Sequence, residues 1–267
     1  MPLPEEWSRW RAYPVGADGR VRTHALHVAI VDHCNLRCDR CDALAPFLPE
    51  RVTSVEAIRT DLALARRALA PTFLKLVGGE PLLHPDAVAC VRAAKDANVA
   101  EKVSLTTNGV LLRRAPDALF EALDHLTISV YPPGLAHLAE IEARAARFGV
   151  ELNVKRQDEF QDMTSPPHDR ARAVFDTCWL RHRCHTIFAG RFFLCTRPPN
   201  FRAHPRGLVR DLDAEGVRLH DGPSLAAEVS AYLERREPLA SCARCLGGTG
   251  AFAPHRQLTR AEVERGS

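Results

Sequence analysis

Three cysteines stand at positions 34, 38 and 41 in the run HCNLRCDRC (33–41), a C-x3-C-x2-C spacing. Three thiolates so close together suit two kinds of metal site. Each can take one iron of a cubane cluster, leaving the fourth iron open to a small-molecule ligand. Alternatively they hold zinc tetrahedrally with a fourth protein ligand, for which the adjacent His33 is a candidate. A second set is looser. Cys178, Cys195 and the C-x2-C pair Cys242 and Cys245 supply four thiolates, with Gly190 between the first two. A C-x2-C pair facing two cysteines on a hairpin is a cage for zinc or for an iron–sulfur cluster.

Two cysteines are left over. Cys90 falls in a helical pattern with Val88 and Val91 and reads as a small buried apolar residue. Cys184, in WLRHRCHT (179–186), has three readings: it replaces Cys178 as a ligand, it is inert, or it faces a substrate as a hydrogen-atom donor. The neighbouring Arg181, His182, Arg183 and His185 are either solvated or grip a polar substrate.

The nine cysteines gain this weight from their setting. The chain of 267 residues is 46% apolar and 26% charged, with no charged leader followed by an apolar run and no apolar stretch of membrane-spanning length. The expectation is a cytoplasmic protein with no membrane partner, where thiols stay reduced and cysteine serves metal binding or catalysis. Its 36 basic and 33 acidic residues, net +3, are scattered, which predicts no nucleic-acid partner.

The elements that must position these residues follow from periodicity. Runs rich in β-formers, ALHVAIV (25–31), FLKLV (73–77), KVSLTT (102–107), HLTISV (125–130) and VELNV (150–154), alternate with helical patterns. Thr53 and Glu56 read as a capping box, after which Val55, Ile58, Leu62, Ala65 and Leu69 share one helical face. A second helix fits 135–148, stopped by Gly149. Strand–helix alternation predicts an α/β fold with parallel βαβ units. Five strands are too few for a closed eight-stranded barrel, so the expectation is a partial, open barrel. After about residue 155 the sequence KRQDEFQDMTSPPHDR reads as a linker. HTIFAGRFFLC (185–195) then alternates around Gly190 like a hairpin, a helix fits 223–235, and 251–267 reads as a polar tail. The resulting division is an N-terminal extension (1–24), a barrel (25–160), a small C-terminal domain (161–250) and the tail. WSRWRAYPVG (7–16) either covers the site or packs against the barrel's base.

With CNLRC at the end of the first strand, GGEP (78–81) directly after the second, TTNG (106–109) after the third and SVYP (129–132) after the fourth, the chain resembles the radical S-adenosylmethionine (radical SAM) superfamily. The resemblance covers about residues 25–160. It implies a 4Fe-4S cluster on Cys34, Cys38 and Cys41, and SAM held near Gly78, Gly79 and Glu80, with Glu80 pairing with its ammonium. Asn108 and Ser129 fall where the family's SAM-contacting polar groups sit. Two departures stand out. An aromatic residue usually precedes the third cysteine, where this chain has Arg40, whose guanidinium could stack on the adenine instead. The glycine-rich segment of the fifth strand is missing, leaving Asn153, Lys155 and Arg156 as ribose or carboxylate contacts.

Given that resemblance, Cys178, Cys195, Cys242 and Cys245 look like the twitch form of the SPASM extension, which carries one auxiliary 4Fe-4S cluster. The family's chemistry is reductive cleavage of SAM to a 5′-deoxyadenosyl radical that takes hydrogen from a substrate C–H, fed by a flavodoxin or ferredoxin-type electron donor. The pattern is similar to that of small radical SAM dehydrogenases of aminocyclitol biosynthesis. The leading expectation is therefore oxidation of a secondary alcohol on a hydroxylated small molecule, of sugar or aminocyclitol type. The alternatives are an epimerase in which Cys184 returns the hydrogen atom, a peptide maturase, and a non-catalytic metal-binding protein.

Overall fold

The computed structural model describes residues 12–204, 207–209 and 211–266. Strand β1 (Val21–Val31) leads through helix α1 (Val55–Ala65) to β2 (Leu69–Gly78), then α2 (Ala87–Asp96), β3 (Lys102–Thr107), α3 (Asp117–Ala122), β4 (His125–Val130), α4 (Leu138–Arg147) and β5 (Glu151–Arg156). Each strand lies parallel beside its predecessor, in the order β5-β4-β3-β2-β1. Right-handed crossovers between successive neighbours put all four helices on one face. Their buried stripes pack there: Ile58 and Leu62, Cys90 and Val91, Leu119 and Phe120, Ile141 and Ala145 join Val28, Ile30, Leu74, Leu76, Leu105 and Ile128 in one core. Alternation then turns His27, Lys75, Thr106, Ser129 and Lys155 to the opposite, uncovered face. That face is where the chemistry must sit.

The helix starts differ by a residue from the expected pattern. Ser54, not Thr53, caps α1, its hydroxyl accepting from Ala57 N at 3.2 Å. Thr53 instead donates to Ala29 O of β1 at 3.0 Å. Leu69, expected on the α1 face, begins β2. Gly149 stops α4 as expected, with φ of 68°.

The segment read as a linker is structured. Strand β6 (Glu159–Gln161) follows β5 directly, and after α5 (Ala171–Thr177) and α6 (Leu180–Arg183) the expected hairpin appears as β7 (His185–Phe188) and β8 (Arg191–Phe193). Its two turn residues, Ala189 and Gly190, both have positive φ (49° and 72°), the geometry that matches strand twist in a two-residue hairpin. The hairpin does not stand apart: β7 runs parallel beside β1, extending the sheet to eight strands, with β8 and then β9 (Gly216–Arg218) antiparallel. The sheet is open, ending at β5 and β9. Helix α7 (Arg197–Ala203) precedes β9 and α8 (Leu225–Leu233) follows it.

The C-terminal residues also fold. Strand β10 (Phe252–Pro254) pairs antiparallel with β6, and α9 (Arg260–Gly266) closes the chain. The expected tail is polar, but it docks. Of WSRWRAYPVG, positions 7–11 lie outside the described residues. Tyr13 packs at the base, its hydroxyl donating to Arg181 O at 3.2 Å and its ring stacked on His182. No helix among the described residues is long and apolar enough to cross a membrane.

Candidate functional site

A cavity of about 440 Å³ opens on the uncovered face of the sheet. Cys34, Cys38 and Cys41 line it at the carboxyl end of β1, together with Gly78, Gly79, Asn108 and Ser129 from the ends of β2, β3 and β4. A register irregularity between Ala29 and Val31 bends β1 just before the cysteine loop. The loop is tied down from afar. Arg37 O accepts from Leu258 N at 2.7 Å and Asp39 N donates to Arg256 O at 2.9 Å. This ladder brings His255 Nε2 and Gln257 Nε2 each to 3.3 Å from Cys38 Sγ. Cys34 Sγ accepts from Leu36 N at 3.4 Å and faces Asn108 Nδ2 at 3.7 Å.

These contacts test whether an iron–sulfur cluster fits. All nine cysteines are free thiols, and two of the three in the loop have N–H donors aimed at sulfur, the contact that tunes cluster thiolates. Burial pushes the Cys34 thiol up to about 11 and the Cys41 thiol up to about 12, so metal binding must displace protons. Among the described residues no three His, Cys, Asp or Glu side chains converge on one point as a single ion requires. The three thiols line one cavity, and a cubane would offer each its own iron. His33, the proposed zinc ligand, does not line the cavity with them.

The Gly-Gly-Glu-Pro segment is built into the sheet edge. A Cβ on Gly79 would stand 2.1 Å from His33 O, and one on Gly78 2.0 Å from Val31 O. Gly79 N donates to Val31 O and Glu80 N to His33 O, at 3.1 and 3.0 Å. The glycines thus permit the close approach of this segment to the cysteine loop. Glu80 is engaged within the protein. Its side chain is fully buried and accepts from Leu82 N (3.0 Å), Thr107 Oγ1 (2.6 Å) and Asn108 N (2.8 Å). The carboxylate locks the end of β2 to the end of β3 and so positions Asn108, whose side chain reaches Cys34 and Asn35. Glu80→Gln places an amide among three donors. It is expected to lower stability by about 1–3 kcal/mol, read by thermal unfolding, while SAM affinity of the folded, reconstituted chain holds. Lost SAM affinity with an unchanged melting curve would assign the ammonium contact to Glu80.

Two expectations are corrected. Arg40 turns out of the cavity and pairs with Asp162, Nε to Oδ2 at 3.4 Å. Arg156 is exposed at the end of β5 and does not line the cavity, whereas Lys155 beside it does. An aromatic ring stands at this end of the sheet. Tyr131, after β4, lines the cavity and stacks on Phe160 and His255, with ring centroids 5.5 and 5.0 Å away.

Family comparison bears on this edge of the sheet. The Radical SAM superfamily model matches residues 28–146, which hold the three-cysteine loop and the strand ends around it. This stretch, a little under half of the chain, is similar to radical SAM domains. Curated relatives agree over much the same length. A GTP 3′,8-cyclase of Chlorobaculum tepidum is 38% identical over 107 residues, covering 39% of this chain and 32% of that protein. One of Limosilactobacillus fermentum is 40% identical over 109 residues, with the same coverage. The chain thus matches about a third of the length of those relatives. Among solved structures, BtrN in complex with AdoMet and 2-DOIA aligns at a TM-score of 0.49 with 12% identity, over 68% of this chain and 76% of that one. Streptococcus suis SuiB bound to S-adenosylmethionine aligns at 0.42, also with 12% identity, over 79% and 69%. A radical SAM domain implies SAM and one 4Fe-4S cluster, which Cys34, Cys38 and Cys41 are placed to hold.

The other six thiols sort into three places. Cys178, Cys195, Cys242 and Cys245 lie within electrostatic reach of one another, and burial pushes Cys195 well up and Cys242 up to about 12. Gly247 N donates to Cys245 Sγ at 3.3 Å, and a Cβ on Gly247 would stand 3.3 Å from Cys178 Sγ. Cys184 instead lines the cavity, beside Lys75 and Arg183. Cys90 is fully buried, with its Sγ 3.5 Å from His84 Nε2. Of Arg181, His182, Arg183 and His185, only Arg183 lines the cavity. Arg181 lies over the Phe175 ring at 3.9 Å, His182 meets the Tyr13 hydroxyl at 3.0 Å, and His185 Nδ1 meets Leu194 O at 2.9 Å.

Sequence reasoning missed Arg197. It is nearly fully buried two residues after Cys195, and its Nη1 donates to Asp42 O at 2.6 Å and Oδ1 at 3.1 Å, next to Cys41. It therefore ties the first cysteine loop to the second cysteine set.

Proposed function

We propose that this chain is a radical SAM enzyme that takes a hydrogen atom from a hydroxylated small molecule of sugar or aminocyclitol type and oxidises a secondary alcohol. The observation that carries the reading is one cavity that joins the cysteine loop and the SAM-side strand ends to a polar wall including Lys75, Lys155 and Cys184, with four more cysteines gathered behind α6. Bound SAM and its cluster supply the carbon radical; the chain must hold the substrate C–H and exclude water. Gly78, Gly79, Asn108 and Ser129 hold the SAM side. Oxidation of the alcohol requires the carbon to lose one hydrogen atom, the hydroxyl one proton, and the resulting centre one electron. The second cysteine set supports a twitch-type 4Fe-4S cluster on Cys178, Cys195, Cys242 and Cys245 as the electron acceptor.

A specific observation favours a second reading, epimerisation. Cys184 faces the cavity, and burial pushes its thiol up to about 12, so it keeps its S–H at neutral pH. A thiol so placed can return a hydrogen atom to the opposite face of the substrate carbon, after which the thiyl must regain one electron and one proton. The two readings separate on Cys184→Ala. Oxidation predicts unchanged product and at most a modest change in rate. Epimerisation predicts loss of the inverted product, read by chiral chromatography and by loss of solvent deuterium at the reacting carbon. GTP 3′,8-cyclisation, the activity in the relatives' names, is tested by assaying GTP alongside neutral sugars and aminocyclitols.

A further inference from the structure

The polar wall of the cavity carries positive charge to which no role has yet been given. Lys75 lies three residues before Gly78 on β2, opposite His27 of β1, so its Cα is about 10 Å down the strand from the SAM edge. It shares the cavity with Lys155 of β5 and Arg183 of α6, and the three lie within electrostatic reach of one another around Cys184. Arg183 Nη2 is 3.2 Å from His24 Nε2.

The carboxylates that line the same cavity are already engaged. Asp32 is held bidentately by Arg51, at 2.6 and 2.7 Å, and Asp42 by Arg197. Among the described residues no carboxylate stands within ion-pair distance of Lys75 or Lys155. The contrast with the other lysines is informative. Only four of the 36 basic residues are Lys. Lys95 and Lys102 sit outside and pair with Asp124 and Glu151, each at 2.5 Å. The other two face the cavity.

Lys75 and Arg183 are half-buried and Lys155 is exposed at the cavity's edge, and like charges brought together repel unless a counter-charge joins them. Burial and mutual repulsion hold Lys75 down to about 8 and lower Lys155 in the same direction. His27, deeper still, is held down to about 3 by burial, and so stays neutral. A wall of this kind is a preorganised seat for an anion.

We propose that Lys75, Lys155 and Arg183 bind a phosphate or carboxylate group of the substrate. The substrate class becomes a hydroxylated molecule with an anionic end, seated on that wall so that its C–H is presented toward the SAM edge. This rests on the proposed function and deepens it.

The test uses the full chain, anaerobically reconstituted and loaded with SAM, titrated calorimetrically with inorganic phosphate, glucose 6-phosphate, glucuronate and glucose. At least one anion is expected to bind about tenfold or more tightly than glucose, and phosphate against carboxylate preference tells which group is read. Lys75→Gln with Lys155→Gln is expected to weaken that anion about tenfold without changing SAM affinity or the melting midpoint. Lys102→Gln is expected to change neither. If no anion binds below roughly 20 mM, or if the double variant binds as the parent does, the proposal fails. It also fails if the double variant loses SAM affinity, since the lysines would then hold the carboxylate of SAM. Because SAM cleavage is measured on the same samples, loss of this proposal and loss of the radical SAM reading are distinguishable.

Discussion

With Cys34, Cys38 and Cys41 all changed to Ala, the anaerobically reconstituted chain is expected to hold about four irons instead of about eight and to lose all reductive cleavage of SAM. The three sulfurs line one cavity at the carboxyl end of β1, and the loop that carries them is pinned by the 256–258 segment and by Arg197 on Asp42. Removing the thiols deletes the cluster but leaves those tethers in place. The fold is therefore expected to survive, and circular dichroism of the apo forms checks it. Single substitution at Cys34 is also expected to stop SAM cleavage, because a cubane deprived of one protein thiolate would no longer keep a defined open iron for SAM. An iron count falling from about four to none would mean that the second cysteine set does not hold iron, and would remove the electron acceptor on which alcohol oxidation depends. Retained SAM cleavage in the triple variant would overturn the assignment of the radical SAM cluster itself.

The parts of this site legible in sequence are those made by short-range order. Cys34, Cys38 and Cys41 sit within one loop, Gly78 and Gly79 follow directly on β2, and Asn108 and Ser129 follow the apolar alternation of β3 and β4. Strand patterning puts these residues at strand ends, and the family resemblance singles them out there. The helix side was equally plain, since Ile58, Leu62, Ile141 and Ala145 repeat at helical spacing. What escaped was made by contacts across long separations. His255 and Gln257 reach Cys38 through a backbone ladder that no local pattern announces, because a polar segment that pairs with a loop looks like a polar segment in water. β7 read correctly as half of a hairpin, but nothing in HTIF says that its other edge pairs with β1. The protein partners of Glu80 escaped for a different reason. The motif ties a carboxylate to SAM, while the burial that decides its actual partners, Leu82, Thr107 and Asn108, depends on how β2 and β3 end side by side. Arg40 shows the same limit, since its partner Asp162 lies beyond β6.

Cys242→Ala is expected to leave SAM cleavage at the parental level and to abolish oxidation of substrate, with SAM cleavage no longer matched by product. The physical basis is the separation of the two thiol sets. Cys242 belongs with Cys178, Cys195 and Cys245, while the cavity proposed to receive SAM is lined by Cys34, Cys38 and Cys41 and by Cys184. Cys242 does not line that cavity, so its loss does not touch the SAM side. It does remove one of four thiolates from the second site, which a four-iron cluster cannot lose without becoming labile. The coupling between the sites runs through Arg197, which is tied to Asp42 beside Cys41 and lies two residues from Cys195. Arg197 stays in place in the Cys242 variant, so the cysteine loop keeps its support. Deoxyadenosine and product are measured in the same reaction, with iron counted on the same protein. Cleavage and turnover falling together would mean that the second site maintains the fold of the first and does not act as its electron acceptor. Unchanged turnover with about four irons lost would exclude alcohol oxidation through that cluster and leave epimerisation at Cys184 as the reading to pursue.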